Sequence, residues 1–400
     1  MIQLEAYELQ NELWRTDDVE LCFRNSVCAR SVGSQQQRWF NLWEDGFLRS
    51  HSTLPLPLKM SRVNPLVSFI VVNWNTRDYL RLCLQSIPFS CVRSSYEIIV
   101  VDNASIDGSA TMVQTEFPQV ILILNNRNLG YSVGCNQAVK ISRGDYLAFL
   151  NPDVRLEASG ADILVDFAEK RGDVGGVTGT LISEDGHRQR HFYRQLFSLI
   201  FIVINETALG RMWGTRLLRS RFESLSYVDD RLFETAFSVF FVGTSCIVIP
   251  RRVVSKLGYL FDDKFPLYWG DVDLCTRLGK MGLRLYVLPE VKILHRRGAS
   301  VPLLSESRLN ILFFGGLLKY CHMHEGWIRS LILRALITST LVLEMLVMCV
   351  SPARRLSGQW RSDIAWRKAL LIRWLTWPAN PDLSSYLPSR PQESSGLERQ

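Results

Sequence analysis

From Val67 onwards the sequence alternates short apolar runs with helix-like segments, and this alternation constrains the fold more than any other feature. The apolar runs are rich in β-branched residues, which is typical of strands that are buried on both faces of a sheet. The pattern predicts strands at 67–72, 97–101, 120–124 and 145–150, with helices at 78–87, 107–117 and 131–141. Strands that alternate with single helices predict βαβ units and right-handed crossovers. We therefore predict an α/β fold, Rossmann-like, with a mostly parallel sheet flanked by helices.

Changes in composition and hydrophobic pattern along the chain predict the domain organisation. We expect one α/β domain at 63–302, although the pattern over 155–260 is less regular, with a strand at 242–249 and a helix at 251–257. A further strand is expected at 284–288. Residues 1–62 form an N-terminal extension. It is either a small helical domain or untranslated sequence ahead of an alternative start at Met60, and both interpretations stay open. Residues 379–400 are expected to be disordered.

The segment 303–378 is apolar and basic, and we expect it to be helical. Its part 330–352 has the length of a membrane span but carries two charges, Arg334 and Glu344. A charge near the middle of a span costs on the order of 3 kcal/mol. Residues 351–374 hold six basic residues and one acid. We therefore predict a helix that lies in the interface of an anionic membrane rather than a span, and an ordinary helical subdomain is the alternative.

Charge and cysteine content narrow the class of protein. Lys and Arg number 46 and Asp and Glu 39, a net charge of +7. This modest excess permits contact with anionic lipid or anionic substrates, and nucleic acid is not an expected partner. The nine cysteines are scattered without any CxxC pair, so we expect reduced thiols in the cytosol and neither a disulfide scaffold nor a zinc finger.

Short polar segments follow the four predicted strands, at the places where ligands bind in parallel sheets. These segments are Asn73–Thr76, Asp102–Ser109, Asn125–Gly130 and Asn151–Asp153. The first turn lacks the GxGxxG pattern of dinucleotide sites, and no GxxxxGK[ST] phosphate loop occurs. A divalent cation on a carboxylate such as Asp153 is the remaining way to neutralise a diphosphate. The sequence therefore predicts a polar pocket with at least two carboxylates.

A set of motifs then resembles one enzyme family. They are VSFIVVNWN, EIIVVDNASIDGS, NNRNLGYSVGCNQA, GDYLAFLNPDV, FVGTSCIVIPRRVV, GYLFDDKFPLYWGDVDLCTRLGKMG and VKILHRRGAS, in this order over about 66–301. In this order they resemble the inverting family-two glycosyltransferases of the GT-A fold, and are most similar to the rhamnosyltransferase-like bacterial branch. The resemblance implies the GT-A fold for this domain.

The resemblance also implies roles for individual residues in binding the donor and a metal. Asp102 would hold the nucleobase, with Asn75, the turn Asn128–Gly130 and Asn151 also in the donor site. Asn151-Pro152-Asp153 stands where many relatives have DxD, so Asp153 would bind Mn²⁺ or Mg²⁺ together with His295.

The family's catalytic base corresponds to Asp271, although Gly270 replaces the acid that usually precedes it. Asp271 would take a proton from the acceptor hydroxyl, and a single displacement would invert the anomeric carbon. The implied donor is a nucleoside-diphosphate sugar, with dTDP-rhamnose or a similar deoxysugar favoured. The implied acceptor is a lipid-linked or cell-surface glycan at the cytoplasmic face of the membrane.

Competing interpretations exist for the chain and for single residues. A catalytically inactive relative that binds nucleotide sugars or scaffolds an assembly is the alternative function, suggested by Gly270. A sugar nucleotidyltransferase is disfavoured because no Gly-rich, Arg-containing loop follows the first strand. Asp102 could merely cap a turn, and Asp273 is interpreted as a helix-terminal charge. The basic run 187–194 is either an acceptor lid or an ordinary loop ahead of the apolar segment 196–204. Cys321–His324 lacks the second ligand pair of a zinc site.

Overall fold

The computed structural model describes residues 65–195, 227–296, 304–350, 360–378 and 381–387. The N-terminal extension and the apolar segment 196–204 lie outside these residues, so the predictions made for them are not tested.

A nine-stranded mixed sheet forms the centre of the α/β domain, in the order β3-β2-β1-β4-β10-β6-β11-β5, with β8 also paired to β11. The strands are β1 Val67–Asn73, β2 Tyr96–Asp102, β3 Ile121–Leu124, β4 Tyr146–Leu150, β5 Val154–Leu156, β6 Val174–Ile182, β7 Tyr193–Arg194, β8 Phe237–Val239, β9 Phe241–Val242, β10 Cys246–Pro250 and β11 Arg284–His295. β1 to β4 are mutually parallel, whereas β10 runs antiparallel to β4 and β6. β7 and β9 form a separate ribbon.

Nine α-helices lie in the described part of the chain. They are α1 Arg77–Ser90, α2 Ser109–Glu116, α3 Tyr131–Ile141, α4 Gly160–Glu169, α5 Arg251–Leu257, α6 Gly270–Lys280, α7 Glu306–Glu325, α8 Trp327–Val350 and α9 Trp360–Thr376. The first four predicted strands and three predicted helices are all present, and the predicted α/β fold class with its mostly parallel sheet is confirmed. The seven cysteines that the structure describes are all free thiols.

Strand β6 was not expected, because its sequence VGGVTGTLI contains three glycines and glycine is a poor strand former. The glycines are explained by close packing across the sheet. A Cβ at Gly179 would lie 2.3 Å from the carbonyl oxygen of Val291, at the point where the pairing of β6 with β11 shifts register. Only glycine fits there, and this long-range contact is invisible in the local pattern.

Strand β11 is longer than the predicted segment 284–288, and its extra residues bring the metal candidates together. The strand continues to His295, with a bulge between Leu288 and Lys292. Its last residues pair with β5, so that His295 lies opposite Val154. Asp153 immediately precedes Val154 and therefore lies beside His295.

The C-terminal part forms helices α7, α8 and α9, as expected for an apolar and basic helical tail. Residues 381–387 pack against the protein. Leu383 is fully buried against Gly315 of α7, and Leu387 contacts the position of Gly130. The expectation of disorder over 379–400 stays a prediction.

Candidate active site

The ends of β1 and β2 form the first side of the site, joined by hydrogen bonds between side chains. Asn73 and Asp102 are register partners, and Asn73 Nδ2 donates to Asp102 Oδ2 at 2.8 Å. Asp102 Oδ1 accepts from the backbone N of Ser105 at 2.8 Å. The buried carboxylate thus organises the turn that follows β2, as in the alternative interpretation, and its contact with a nucleobase stays a prediction.

Asn75 lies on the same side and also organises a loop. Its backbone adopts a left-handed conformation with φ 53°, which asparagine tolerates better than most residues. Its backbone N donates to Ser105 Oγ, and its side-chain Oδ1 accepts from the backbone N of Ile106 at 2.8 Å. These bonds fix the loop after β1 against the loop after β2. The polar edge is therefore held by contacts within the protein and does not need a bound donor.

The turn Asn128–Gly130 connects the donor side to the segment that leads to α6. Asn128 Oδ1 accepts from the backbone N of Gly130 at 2.9 Å. Gly130 has φ +86°, and a Cβ there would lie 2.5 Å from the carbonyl oxygen of Pro266. Tyr131 N donates to that same oxygen at 2.8 Å. Gly130 therefore has a packing role, and its predicted contact with the donor is untested.

Asn151, at the end of β4, is held by the chain that enters β10. Its backbone N donates to the carbonyl oxygen of Ser245 at 2.8 Å, and its Nδ2 donates to Ser245 Oγ at 3.3 Å. The neighbouring residue Thr244 accepts from the hydroxyl of Tyr131 at 3.2 Å. The segment 244–245 thus connects the start of α3 with the Asn151–Asp153 motif.

Asp153 and His295 are brought together, as expected for two ligands of one ion. Asp153 Oδ1 and His295 Nε2 are 3.6 Å apart, and the two side chains are only 5% and 2% exposed. The backbone N of Arg296 donates to the carbonyl oxygen of Asp153, which fixes the two segments to each other.

The donor set fits Mg²⁺ or Mn²⁺. These ions take carboxylate oxygen readily, Mn²⁺ also accepts imidazole, and Mg²⁺ is usually bound by one or two protein groups together with substrate phosphates. Two ligands 3.6 Å apart can share one ion at bond lengths of about 2.0–2.2 Å. Within the described residues, no group of three or more His, Cys, Asp or Glu side chains is placed to hold an ion. The phosphates of a donor would therefore have to complete the coordination.

Gln189 contacts His295 and was missed by the sequence analysis. Its side chain is hydrogen bonded to both the ring and the backbone of His295, each at 2.7 Å. The residue lies 106 positions away in the sequence, within the basic run 187–194. No local signal identifies it, because a glutamine between two arginines looks like an ordinary surface residue.

The basic run contacts the protein, although His187, Arg188 and Arg190 are exposed. Arg188 stacks on the ring of Phe233, Arg190 donates to the carbonyl oxygen of Val228, and the buried Arg194 donates to the hydroxyl of Tyr227. Both interpretations of the run, an acceptor lid and an ordinary loop, therefore stay open.

Asp271 lies in the first turn of α6, and its side chain is partly buried. Trp269, directly before the helix, has φ 73°, an uncommon conformation for a large residue. Asp271 Oδ1 accepts from the backbone N of Val272, but burial outweighs this bond and raises the pKa of Asp271 to about 6. A carboxylate with such a pKa is a stronger base than an ordinary aspartate and still ionised at neutral pH.

Gly270 lies against α3 and the segment before α6. A Cβ at this position would lie 3.1 Å from Ser132 Oγ and 3.6 Å from both Phe261 and Phe265. Only the contact with Ser132 Oγ is tight, so the packing does not by itself explain why the acid is absent.

Helix α7 packs on α6 around the buried carboxylate of Asp273. Asp273 accepts from Arg277 of its own helix at 2.9 Å and lies 2.8 Å from Nε2 of His324 in α7. Gly316 of α7 packs directly on the ring of Trp269, where a Cβ would lie 2.5 Å from Cδ1. Asp273 therefore has a structural role, and His324 of the Cys321–His324 motif serves packing of the helices. The helical tail is part of the support of Asp271.

A mostly parallel sheet with a buried Asp–His pair at its edge and a separate carboxylate on a helix is the arrangement that the resemblance to glycosyltransferases of the GT-A fold implies. A sequence model described as Glycosyl transferase family 2 matches residues 68–258. The chain therefore carries a domain of glycosyl transferase family 2, and the resemblance inferred from its motifs is confirmed.

Two curated relatives indicate the kind of chemistry found among similar proteins. The N-acetylglucosaminyl-diphospho-decaprenol L-rhamnosyltransferase of Mycobacterium tuberculosis is 27% identical over 307 residues, which cover 74% of this chain and 96% of the relative. The undecaprenyl-phosphate 4-deoxy-4-formamido-L-arabinose transferase of Serratia proteamaculans is 30% identical over 163 residues, which cover 39% and 48% respectively.

Among solved structures, the mannosyltransferase PcManGT from Pyrobaculum calidifontis in complex with GDP-Man and Mn²⁺ is similar at a TM-score of 0.44 and 15% identity, covering 86% of this chain and 99% of that chain. The fold class rests on the strand order given above and not on this likeness.

Proposed function

We propose that the protein is an inverting glycosyltransferase that moves a deoxysugar from a nucleoside diphosphate to a lipid-linked glycan with the help of a divalent cation. The observation that carries this proposal is the pairing of Asp153 with His295, 3.6 Å apart at the sheet edge. The proposed base Asp271 lies within electrostatic range of Tyr131, whose hydroxyl donates to the carbonyl oxygen of Thr244 beside the Asn151 segment.

Each of the site's side chains has its own role in the proposed reaction. Asp153 and His295 would hold the cation, which neutralises charge on the diphosphate as it leaves. Asn75 and Asp102 shape the polar edge for the nucleoside. Asp271 accepts the proton of the acceptor hydroxyl as that oxygen attacks the anomeric carbon from the face opposite the diphosphate. A single displacement of this kind inverts the configuration.

The relatives support the substrate class. One is described as a rhamnosyltransferase whose acceptor is N-acetylglucosaminyl-diphospho-decaprenol, and another as a transferase that uses undecaprenyl phosphate. We therefore assign this protein a polyprenyl-linked acceptor and, as first choice of donor, a dTDP-linked deoxysugar such as rhamnose.

The test of the donor assignment is a binding panel with the full chain in mild detergent. dTDP-, UDP- and GDP-sugars are titrated with Mn²⁺, with Mg²⁺ and with a chelator. We expect one donor, dTDP-linked, to bind at least tenfold more tightly when metal is present. If every donor binds as tightly with the chelator as it does with metal, the metal-assisted proposal is wrong.

Helix α8 supports a position at a membrane surface. By length and composition it is the one helix in the described ranges that is long and apolar enough to cross a bilayer. Of its three charged residues, Arg329 is exposed near the start of the helix and pairs with Glu325, whereas Arg334 and Glu344 contact α9. Arg334 donates to the carbonyl oxygens of Trp374 and Trp377, and Glu344 forms an ion pair with Arg367 at 3.0 Å.

The opposite face of α8 is apolar and exposed over a helix about 36 Å long. Residues more than half exposed on it are Trp327, Ile328, Leu331, Ile332, Leu346 and Val350. The other face packs on α7 and α9, and burial on one side only is typical of a helix that lies in the membrane interface. We propose that α8 lies there, next to a lipid-linked acceptor.

The membrane proposal predicts a specific loss of vesicle binding. The double variant Leu331→Glu/Leu346→Glu places two charges on the exposed face, and each buried leucine contributes about 1.5–3 kcal/mol. We expect flotation with vesicles of phosphatidylcholine and phosphatidylglycerol to fall at least tenfold. The matched control Ile141→Glu changes an exposed apolar residue of α3 and should float like the wild type. Unchanged flotation of the double variant would contradict the proposal.

The raised pKa of Asp271 predicts the acid limb of the pH profile. The base must be ionised, so kcat/KM should fall about tenfold per pH unit below about 6. Loss of metal at low pH would produce a similar limb, but that limb would move to lower pH when Mn²⁺ is raised tenfold. We expect the limb to be independent of Mn²⁺ concentration and to move in Asp271→Glu. A limb near 4, the ordinary range of aspartate, would contradict this account.

A further inference from the structure

The side chain of Gln189 makes two hydrogen bonds to a single residue, the metal candidate His295. Gln189 Nε2 lies 2.7 Å from the carbonyl oxygen of His295, and Gln189 Oε1 lies 2.7 Å from His295 Nδ1. Gln189 is only 5% exposed, although it stands in the basic run between Arg188 and Arg190. A buried amide with both ends used on one partner holds that partner in a fixed orientation.

These two bonds together determine which ring nitrogen carries the proton. A carbonyl oxygen only accepts, so the amide end that faces it must be the NH₂ group. The other end of the amide is then the oxygen, which must accept a proton from Nδ1 of His295. In the neutral ring the remaining nitrogen, Nε2, therefore has a lone pair.

The lone pair of Nε2 is directed to the side where Asp153 lies. The distance of 3.6 Å to Asp153 Oδ1 exceeds the 2.7–3.2 Å of an N–H···O hydrogen bond. Two ligands that share an ion are separated by about this distance. The ring is held from a second direction by Phe192, whose centroid lies 5.0 Å from that of His295 at an angle of 80°.

The backbone of Gln189 is itself fixed to the sheet. Its amide N donates to the carbonyl oxygen of Leu181 in β6 at 2.9 Å, and its own carbonyl oxygen accepts from Phe192. Phe192 packs on Gly243, where a Cβ would lie 2.3 Å from the ring. The two residues that orient His295 thus form one short unit, anchored to β6 and to the chain that enters β10.

We propose that Gln189 is a positioning residue, which fixes the Nε2-metal-binding tautomer of His295 and so sets the affinity of the site for a divalent cation. The inference rests on the proposed function, since it takes Asp153 and His295 to be metal ligands. Partners of this kind, which accept from the second nitrogen of a ligating histidine, typically change metal affinity by 10–100-fold when they are removed.

The first test measures Mn²⁺ binding to the full chain by electron paramagnetic resonance, without donor or turnover. Gln189→Met keeps the size of the side chain and removes both hydrogen bonds, so we expect Mn²⁺ affinity to fall about 10–100-fold. Gln189→Glu keeps an acceptor for Nδ1–H, an arrangement common in metal sites, and should bind much more tightly than Gln189→Met. Asp153→Ala serves as the reference, because it gives the Mn²⁺ affinity of a site that has lost one ligand.

The second test reads the tautomer directly and needs no variant of Gln189. The full chain is labelled with ¹⁵N-histidine, and the signal of His295 is assigned by its loss in His295→Gln. We expect a protonated Nδ1 and an unprotonated Nε2 in the metal-free wild type at pH 8. An Nε2–H tautomer there would overturn the proposal, even if Gln189→Met did not fold.

The outcomes separate this inference from the proposed function. If the wild type binds Mn²⁺ and Gln189→Met binds it equally well, the positioning role of Gln189 is wrong and the metal-assisted transferase stands. If the wild type binds no Mn²⁺ but shows the expected tautomer, the metal-assisted function is wrong while the orientation of His295 by Gln189 is correct. If Mn²⁺ affinity falls in Gln189→Met and returns in Gln189→Glu, both stand.

Discussion

Replacing Asp271 by asparagine is expected to lower sugar transfer about 10³-fold and to leave donor binding unchanged. A positioned general base contributes about 10²–10⁴-fold to rate, and asparagine has nearly the same shape but cannot accept the proton. The donor is held by other residues, so its dissociation constant should stay within error. The measurement is acceptor-dependent release of nucleoside diphosphate, together with donor binding by calorimetry.

Stability should change in the opposite direction to activity in this variant. Burial raises the pKa of Asp271 from its usual value to about 6, so the folded state binds the proton more tightly than the unfolded chain does. The contribution to stability is full below the unfolded pKa of about 4 and is lost as the pH rises through 6. At pH 8 the free energy of unfolding of Asp271→Asn should therefore exceed that of the wild type. The difference is limited to about 2 kcal/mol, because the side chain of Asp271 is only partly buried.

Asp273→Asn is the matched control on the same helix. Asp273 is fully buried and paired with Arg277 and His324, so its replacement should lower the free energy of unfolding by about 1–3 kcal/mol. We expect the melting temperature to fall in Asp273→Asn and to rise in Asp271→Asn. If Asp271→Asn loses transfer only in proportion to a loss of folded protein, its role as base is wrong.

Replacing Asp153 by alanine is expected to remove the effect of metal on the donor. A cation that stabilises a departing diphosphate contributes several kcal/mol, so turnover should fall on the order of 10³-fold. Addition of Mn²⁺ should no longer tighten donor binding, which calorimetry with and without chelator measures directly.

The control for this variant is Asp185→Ala, an exposed carboxylate on the loop after β6 that accepts hydrogen bonds from Ser183 and His187 of its own turn. It should respond to Mn²⁺ like the wild type. A full metal response that persists in Asp153→Ala would show that the cation binds elsewhere or is not needed, and would contradict the assignment of Asp153.

The parts of the site that the sequence predicts are those whose signal is local. Asp153 follows an apolar strand, so the strand-end rule locates it, whereas Asp271 is identified only through the resemblance to the family's motif at the start of a helix. The first four strands are predicted from a local signal too, since each is a short apolar run with polar residues at its end, and the first three are rich in β-branched residues.

The parts that the sequence does not predict depend on contacts between distant segments. Gln189 is identified only by its bonds to His295, and Gly130 only by its contact with Pro266. The glycines of β6 weaken the strand signal, although packing against β11 requires one of them. In each case the choice of residue is set by a neighbour more than 100 positions away in the chain.

The donor-side residues show the limit of transferring roles from a resemblance. Asp102 and Asn75 are placed at the expected edge, but their side-chain oxygens already accept hydrogen bonds from the protein. Their visible role is to build the loops that line the edge. A carboxylate has about four lone-pair positions, so this role leaves capacity for a ligand.

The most direct test of the central claim is acceptor-dependent transfer by the full chain. The protein is incubated with dTDP-rhamnose, a polyprenyl-diphosphate-linked N-acetylglucosamine and Mn²⁺, and the lipid product is analysed by mass and by the configuration of the new bond. We predict a product one deoxyhexose heavier with an inverted anomeric centre, which is absent with chelator and in Asp271→Asn. Donor that binds without any transfer, across dTDP-, UDP- and GDP-sugars, would contradict the account and identify the protein as a nucleotide-sugar binder.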